Sequence, residues 1–140
     1  MFIAKQSVKT ADGNIPSHVH IENLKRLCGW LEKLRASLPS PTQAGRGEEP
    51  IIINSGYRSP QVNKAVGGAA NSNHLTGCAA DIHVTGIEQA LRYAVILLDI
   101  SSELKEDFDE LLIEKSARSI WIHFAVRPNG NRRKVAFIQA

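Results

Sequence analysis

Two histidines and one aspartate in this sequence could together hold a catalytic metal ion. His74 and Asp81 are separated by small residues, and His123 lies near the far end of the chain within the run WIHF. Zinc in hydrolases is typically bound by three His, Asp or Glu side chains and keeps a fourth position for water. Two imidazoles and one carboxylate leave such a site positive overall, which favours ionising that water and polarising a carbonyl group. Spacing alone leaves this interpretation open, because five histidines offer several such combinations.

Three sequence blocks around these residues resemble the motifs of the zinc D-Ala-D-Ala carboxypeptidase family. Residues 72–81 read SNHLTGCAAD, which is similar to the family signature Ser-x-His-x-x-Gly-x-Ala-x-Asp. Residues 55–59 read SGYRS and residues 121–123 read WIH, which resemble the upstream and C-terminal blocks of the family. The resemblance covers about residues 17–138. It implies the α+β fold that these peptidases share with the Hedgehog signalling domain, with a small, mostly antiparallel sheet packed against helices.

The resemblance also implies an activity and a set of site residues. The expected activity is zinc-dependent hydrolysis of peptidoglycan stem peptides, as a D,D- or L,D-carboxypeptidase or endopeptidase. His74, Asp81 and His123 would bind one Zn²⁺ per chain. Arg58 would contact the substrate and stabilise developing negative charge, since a guanidinium keeps its charge and donates paired hydrogen bonds. A structural ion pair is the alternative for that arginine.

Two further residues are expected to contact the substrate. They are Tyr57, from the SGYRS block, and Ser72, from the signature. A hydrogen bond that caps the loop is an equally good interpretation of Ser72.

The general base is the position at which this sequence departs from the family pattern. Many members carry an acidic residue three positions before the last histidine, whereas Ile120 stands there in this chain. One branch of the family has a segment similar to FDELLIE at residues 108–114. If that segment forms a hairpin with residues 120–124, Glu114 lies near the metal-bearing strand and could accept a proton from water. Glu114 is therefore the predicted base and Asp109 the second choice, and a solvated turn residue is the alternative for Glu114.

Other polar residues have simpler interpretations. His83 would share a strand face with Asp81 as an alternative ligand or a neighbour of the site, but an ordinary strand residue is favoured. His18 and His20 precede the first long helix and are expected to be solvated. The basic cluster near the end of the chain reads first as a solvated turn and second as a contact for an anionic wall polymer; its members are Arg127, Arg132, Arg133 and Lys134.

The two cysteines suggest neither a thiol metal site nor a redox motif, because they are not in a CxxC pair. Cys28 would lie on the apolar side of a helix, and Cys78 would be a small buried residue within the signature.

Composition predicts one domain over residues 1–140. The hydrophobic fraction of 43% and the charged fraction of 22% are ordinary for a globular protein. A net charge of +3 is too small to indicate a nucleic-acid partner, although it suits an anionic wall polymer. No run is long enough to span a membrane, and the N-terminus becomes polar too early for a secretory signal. A soluble protein is therefore expected, with a monomer as the default. Either it is made in the cytoplasm and acts at the cell wall after release, in the manner of phage lysins, or the sequence has lost a leader.

The periodicity of apolar residues predicts the elements that must position these side chains. A stripe with steps of three and four predicts a helix over about residues 17–38. Ser59-Pro60 begins a short helix, residues 67–73 form a loop, and residues 87–98 form another helix. Strands are predicted over 51–54, 80–84, 111–114, 120–126 and 134–138, with a hairpin turn at KSARS. Residues 39–50 are expected to be a surface loop or a lid, and residues 1–16 show no clear period.

Two hypotheses remain beside the enzyme. One is a binding module of the same fold that has lost catalysis, which Ile120 keeps open. The other is an attachment domain of a phage particle that grips peptidoglycan. The complete ligand triple and Arg58 favour the enzyme, because binding alone does not require an open zinc site.

Overall fold

The computed structural model describes residues 2–4, 9–38 and 50–140 of the chain, with the backbone alone described for residues 2–4. Its helices are α1 (His18–Ala36), α2 (Pro60–Ala65) and α3 (Ile87–Leu104), with a short 3₁₀ helix at Asn73–Thr76. Its strands are β1 (Phe2–Ala4), β2 (Ile51–Ser55), β3 (Ala79–His83), β4 (Glu110–Lys115), β5 (Ile120–Ala125) and β6 (Lys134–Gln139). The predicted α+β class is confirmed.

The six described strands form one mixed sheet in the order β1-β2-β3-β5-β4-β6. The three central pairings, β2 with β3, β3 with β5 and β5 with β4, are antiparallel. The two outer strands β1 and β6 pair in parallel with β2 and β4. A mostly antiparallel sheet is therefore correct for the centre, and the parallel edges are a feature that the sequence pattern did not predict.

The two faces of the sheet have different roles. Helices α1 and α3 contact each other, and they contact strands β3 and β5 respectively. Apolar side chains of the strands form a common core with those of the helices, among them Ile82, Ile122 and Phe124. Successive side chains of a strand point to opposite faces. Asp81, next to Ile82, and His123, between Ile122 and Phe124, therefore lie on the other face. That second face carries the polar groups described below.

Local sequence signals explain most of the element boundaries. The side chain of Ser17 caps α1 by accepting a hydrogen bond from the backbone of His20, and Ser59 caps α2 with Pro60 in the first turn, as predicted. Helix α3 extends six residues beyond the predicted end at Leu98, because Ile100 and Ser101 still face the core; it ends where Lys105 adopts a left-handed conformation.

No helix or strand was predicted for residues 1–16 or for residues 39–50. Residues 2–4 form a strand where no element was predicted. The predicted loop or lid at residues 39–50 lies almost wholly outside the described residues. Among the described helices, none is both long and apolar enough to cross a membrane.

Candidate metal centre

The second face of the sheet carries a groove of about 610 Å³, which is in the size range of ligand-binding sites. One wall is the loop at residues 66–72 together with the start of the 3₁₀ helix, and the floor is formed by β3, β5 and β4. Residues between β5 and β6 close one end. The charged and aromatic side chains that line it are Arg58, His74, Asp81, Glu110, Glu114, Trp121, His123, Arg127, Arg132 and Lys134.

The three predicted metal ligands meet at the floor of this groove. The Nε2 atom of His74 and the Nδ1 atom of His123 lie 3.3 Å and 3.1 Å from the same oxygen, Oδ1 of Asp81. All three side chains are buried. One ligand atom from each residue lies within 4.8 Å of the others, which is close enough for one metal ion to be shared. The structure therefore brings together the triple that spacing alone left open.

Backbone pairing fixes two of these residues, and a capped turn fixes the third. Asp81 on β3 and His123 on β5 are directly opposite each other in the antiparallel ladder. His74 belongs to the 3₁₀ helix, and its backbone N–H donates to the hydroxyl of Ser72 at 3.1 Å. Its Nδ1 lies 2.7 Å from the carbonyl oxygen of Gly56. Because a carbonyl oxygen only accepts hydrogen bonds, Nδ1 of His74 carries a proton, and Nε2 is the ring nitrogen that faces Asp81.

Gly77 ends the 3₁₀ helix in a way that no other residue could. Its φ of +76° is left-handed, and a Cβ atom there would lie 2.6 Å from the backbone oxygen of His20. The glycine of the signature thus allows α1 to approach the turn that carries His74.

The charge of Asp81 is balanced by three groups. The Nη2 atom of Arg58 lies 3.2 Å from its other oxygen, Oδ2, and Nε of Arg58 donates to the hydroxyl of Ser55. Burial raises the pKa of Asp81, but hydrogen bonds from His123 and His74 outweigh it and hold the pKa well below its usual range. Arg58 thus makes the ion pair that was its alternative interpretation, and it also lines the groove.

Comparison with known sequences assigns the chain to a family. The sequence profile of the family described as peptidase M15 matches residues 3–123, a range that contains all three candidate ligands. The chain belongs to the peptidase M15 family. A stretch of 36 residues is also 53% identical to the zinc D-Ala-D-Ala carboxypeptidase of Streptomyces albus G; it covers 26% of this chain and 14% of that protein.

Glu110 is a residue of the M15 centre that the sequence analysis missed. Its Oε1 atom lies 3.0 Å from Nε2 of His123 and accepts a hydrogen bond from Nδ2 of Asn73 at 2.7 Å. The signal that could have found it is strand alternation. If Glu114 lies on the groove face, then Glu110, four residues earlier, lies there too, and Asp109 lies on the opposite face.

Both ring nitrogens of His123 therefore face carboxylates, from Asp81 on one side and Glu110 on the other. Burial lowers the pKa of His123, but the two carboxylates have the larger effect and raise the pKa to about 9. A metal ion that binds Nδ1 of His123 would replace the proton that this nitrogen shares with Asp81.

Glu114, the predicted general base of this M15 chain, lies on the groove face but does not contact the ligand triple. In the hairpin of β4 and β5 it is directly opposite Trp121. Its Oε2 atom accepts a hydrogen bond from the indole Nε1 of Trp121 at 2.6 Å. The predicted hairpin is confirmed. Ile120 packs against the core and brings no acidic group to the site.

Asp109, the second choice, is placed behind the groove. Its side chain has 0% exposure and does not line the groove. Both of its oxygens accept hydrogen bonds from Arg132, and Nδ2 of Asn73 donates to Oδ2 at 2.8 Å. Burial raises the pKa of Asp109, yet these hydrogen bonds, led by Arg132, lower it to about 2.

Replacing Asp109 with asparagine is expected to remove an acid-sensitive part of the stability. The folded-state pKa of about 2 lies below the ordinary aspartate value of 3.8. The stabilisation, about 2 kcal/mol, is therefore complete above pH 4 and is lost as pH falls toward 2. Urea unfolding should show Asp109→Asn less stable than the wild type by about that amount at pH 7, with the difference shrinking at pH 2–3. An equal difference at both pH values would contradict this prediction.

The remaining predicted residues lie at the margin of the M15 site or away from it. The ring of Tyr57 packs against that of His20 with centroids 5.1 Å apart, and Tyr57 does not line the groove. His18 and His20 lie in the first turn of α1 rather than before it. His20 is also not simply solvated, because its Nδ1 accepts a hydrogen bond from the backbone N–H of Ser17. His83 is exposed, pairs with Trp121 across the ladder and is not part of the ligand triple. Cys78 is buried, as predicted, and Cys28 is half-buried.

Proposed function

We propose that this chain is a zinc-dependent peptidase that hydrolyses peptide bonds of peptidoglycan stem peptides. The observation that carries the proposal is the convergence of His74, Asp81 and His123 at the floor of an open groove. Family membership and the partial match to a zinc D-Ala-D-Ala carboxypeptidase support the metal and the substrate class.

The residues fit a zinc ion by their chemistry. The triple offers two imidazole nitrogens and a carboxylate oxygen, which are the donors that catalytic zinc sites use. The second ring nitrogen of each histidine is hydrogen-bonded to an oxygen atom. The partner is the carbonyl oxygen of Gly56 for His74 and Oε1 of Glu110 for His123. Such outer partners hold the imidazole ring and its tautomer in place. Zinc bound here would make water more acidic and polarise a peptide carbonyl.

Glu114 is the proposed proton acceptor. One of its oxygens is fixed by Trp121, and for the other no protein donor is found within the described part of the chain. Glu110 is less suited to this role, because its Oε1 already accepts from both Asn73 and His123 and its Oε2 lies 3.7 Å from Arg132. Glu114 would take a proton from the attacking water and deliver it to the leaving amine.

Arg58 and Ser72 are proposed to act at the wall of the groove. Arg58 holds Asp81 through Nη2, and it would stabilise negative charge that develops on the substrate carbonyl. Ser72 caps the turn of His74 and also lines the groove, so that both interpretations of it remain compatible. A substrate contact by Tyr57 stays a prediction that its position against His20 does not support.

A binding module of the same fold is the second candidate. The observation that favours it is that Glu114 contacts Trp121 rather than any of the three metal ligands. Such a module would bind stem peptides, with or without zinc, and would leave them intact.

Metal content and hydrolysis together test the two candidates. The purified wild type is expected to bind one zinc per chain and to cleave soluble peptidoglycan peptides, with activity lost in excess chelator and restored by added zinc. Cleavage products are measured by chromatography and mass spectrometry. Zinc binding without any cleavage would select the binding module, and no zinc binding under metal-replete conditions would refute the proposal.

A further inference from the structure

Three cationic side chains line one end of the groove, where β4 and β6 begin and β5 has just ended. They are Arg127, Arg132 and Lys134. The side chains of Arg127 and Arg132 are 36% and 52% exposed, and Lys134 is exposed as well. This end is distinct from the opposite one, where Glu114 and Trp121 lie.

Both arginines are held from behind by the buried carboxylate of Asp109. Arg132 donates to it through Nε at 3.0 Å and Nη2 at 2.8 Å. The Nε atom of Arg127 lies 3.3 Å from Oδ2 of Asp109 and donates to Oδ1 of Asn73 at 2.9 Å. A solvated turn would not require a fully buried carboxylate to fix two guanidinium groups.

The anchoring leaves some hydrogen-bond donors of both groove-lining arginines unused. A guanidinium has five N–H groups in a fixed plane, and these contacts use few of them. Within the part of the chain that the structure describes, Nη1 of Arg132 and both Nη atoms of Arg127 have no protein acceptor. These donors are already oriented before a ligand arrives, so that less conformational entropy is lost on binding.

The charges at this end are also unbalanced. Three cations face two carboxylates, Asp109 and Glu110, and Lys134 makes no ion pair within the described residues. Zinc at the neighbouring centre would make the local potential more positive. An anionic ligand group with planar, paired oxygens matches both the excess charge and the guanidinium donors.

We propose that Arg127, Arg132 and Lys134 bind a carboxylate of the substrate. The inference rests on the proposed peptidase function and specifies its substrate: a peptide with a free carboxylate on this side of the bond to be cleaved. Two sources have this chemistry. One is the C-terminal carboxylate of the peptide, which would make the enzyme a carboxypeptidase; the other is a carboxylate on a residue within the stem.

Three matched peptides separate these sources. The first is the pentapeptide L-Ala-γ-D-Glu-L-Lys-D-Ala-D-Ala with both carboxylates free. The second has an amide at the C-terminus, and the third has an amide on the D-glutamate carboxylate. For the zinc-loaded wild type, kcat/KM for the first peptide is expected to be about 10-fold to 100-fold higher than kcat/KM for one of the two amidated peptides. The reason is that amidation removes the charged hydrogen bonds between that carboxylate and the protein. The amide that is cleaved poorly identifies the carboxylate.

Protein variants connect this preference to the cationic end. Lys134→Gln is the cleanest variant, because no described residue depends on its charge, and Arg127→Gln is the second. Both variants should reduce, several-fold, the ratio of kcat/KM for the free-carboxylate peptide to kcat/KM for the poorly cleaved amidated peptide. Arg118→Gln, at an exposed arginine in the β4–β5 turn, is the matched control and should keep it. Zinc content, measured for every variant, shows whether the metal centre has been disturbed.

The possible outcomes separate this inference from the proposed function. Equal cleavage of all three peptides by the wild type would overturn the carboxylate site while leaving the peptidase intact, and so would an unchanged preference in Lys134→Gln and Arg127→Gln. If the wild type cleaves none of them, the peptidase proposal fails for these substrates. Calorimetric titration of the same peptides into the zinc-loaded protein then decides the site: about 10-fold tighter binding of the acid supports it, and equal binding refutes it.

Discussion

Replacing His123 with alanine is expected to abolish zinc binding at physiological metal concentrations and, with it, hydrolysis. His123 supplies one of three ligands, and its Nδ1 lies 3.1 Å from Oδ1 of Asp81. Removing an outer partner of a metal ligand typically weakens affinity by roughly 10–100-fold, and removing a ligand itself should exceed that. Competition with a chromophoric chelator measures the affinity, and cleavage of stem peptides in the same samples measures the activity.

His83→Ala is the control for that experiment. His83 lies on β3, on the same face as Asp81, but it is exposed and outside the ligand triple. Its removal should leave one zinc per chain and the rate within about twofold of the wild type, as expected for a surface substitution within about 0.5 kcal/mol. Tight stoichiometric zinc in His123→Ala, or loss of zinc in His83→Ala, would show that the ligand assignment is wrong. Circular dichroism of both variants reports whether the sheet is intact.

Replacing Glu114 with glutamine is expected to lower kcat by about 10²–10⁴-fold, the usual contribution of a positioned general base. Zinc content should not change, because Glu114 contacts Trp121 and none of the metal ligands. The amide oxygen of glutamine can still accept the indole hydrogen bond, so the local packing is retained while the ability to take a proton is lost. Steady-state kinetics on one stem peptide, with metal content measured in parallel, tests this.

Glu110→Gln is the matched variant from the same face of the same strand. Because Glu110 is hydrogen-bonded to Nε2 of His123, the main effect of Glu110→Gln should be a zinc affinity about tenfold weaker. At saturating zinc its kcat should fall much less than that of Glu114→Gln. The reverse pattern, with Glu110→Gln slow and Glu114→Gln nearly normal, would exchange the roles of the two carboxylates.

The fold was predictable from the sequence where apolar periodicity is strong. The stripe that contains Leu27, Leu31 and Leu34 is buried along α1. The hairpin predicted between residues 108–114 and 120–124 also forms, with Glu114 directly opposite Trp121. Edge pairings were not predictable, because β6 pairs in parallel with β4, and nothing in its own sequence selects β4 over another strand.

The candidate site was predictable where the signature fixes it and unpredictable where distant residues meet. His74, Asp81 and Arg58 lie in the sequence blocks that resemble the family, but the ion pair between Arg58 and Asp81 depends on a turn that only the folded chain defines. Asp109 is the second choice of base because it lies in the segment FDELLIE, which resembles one branch of the family. Its burial against Arg132 follows from a connection that returns after β5, which local pattern does not reveal.

The direct pairing of Asp81 with His123 also constrains how this protein can change during evolution. In β3 and β5 the ligands alternate with Ile82, Ile122 and Phe124, all of which are buried in the core. A one-residue insertion or deletion within either strand would move a ligand into the core and an apolar side chain into the groove. The chemistry of the groove and the stability of the fold are therefore encoded by the same strand positions. Diversification of this centre has to proceed by substitution within the strands, while changes of length are confined to the connecting loops.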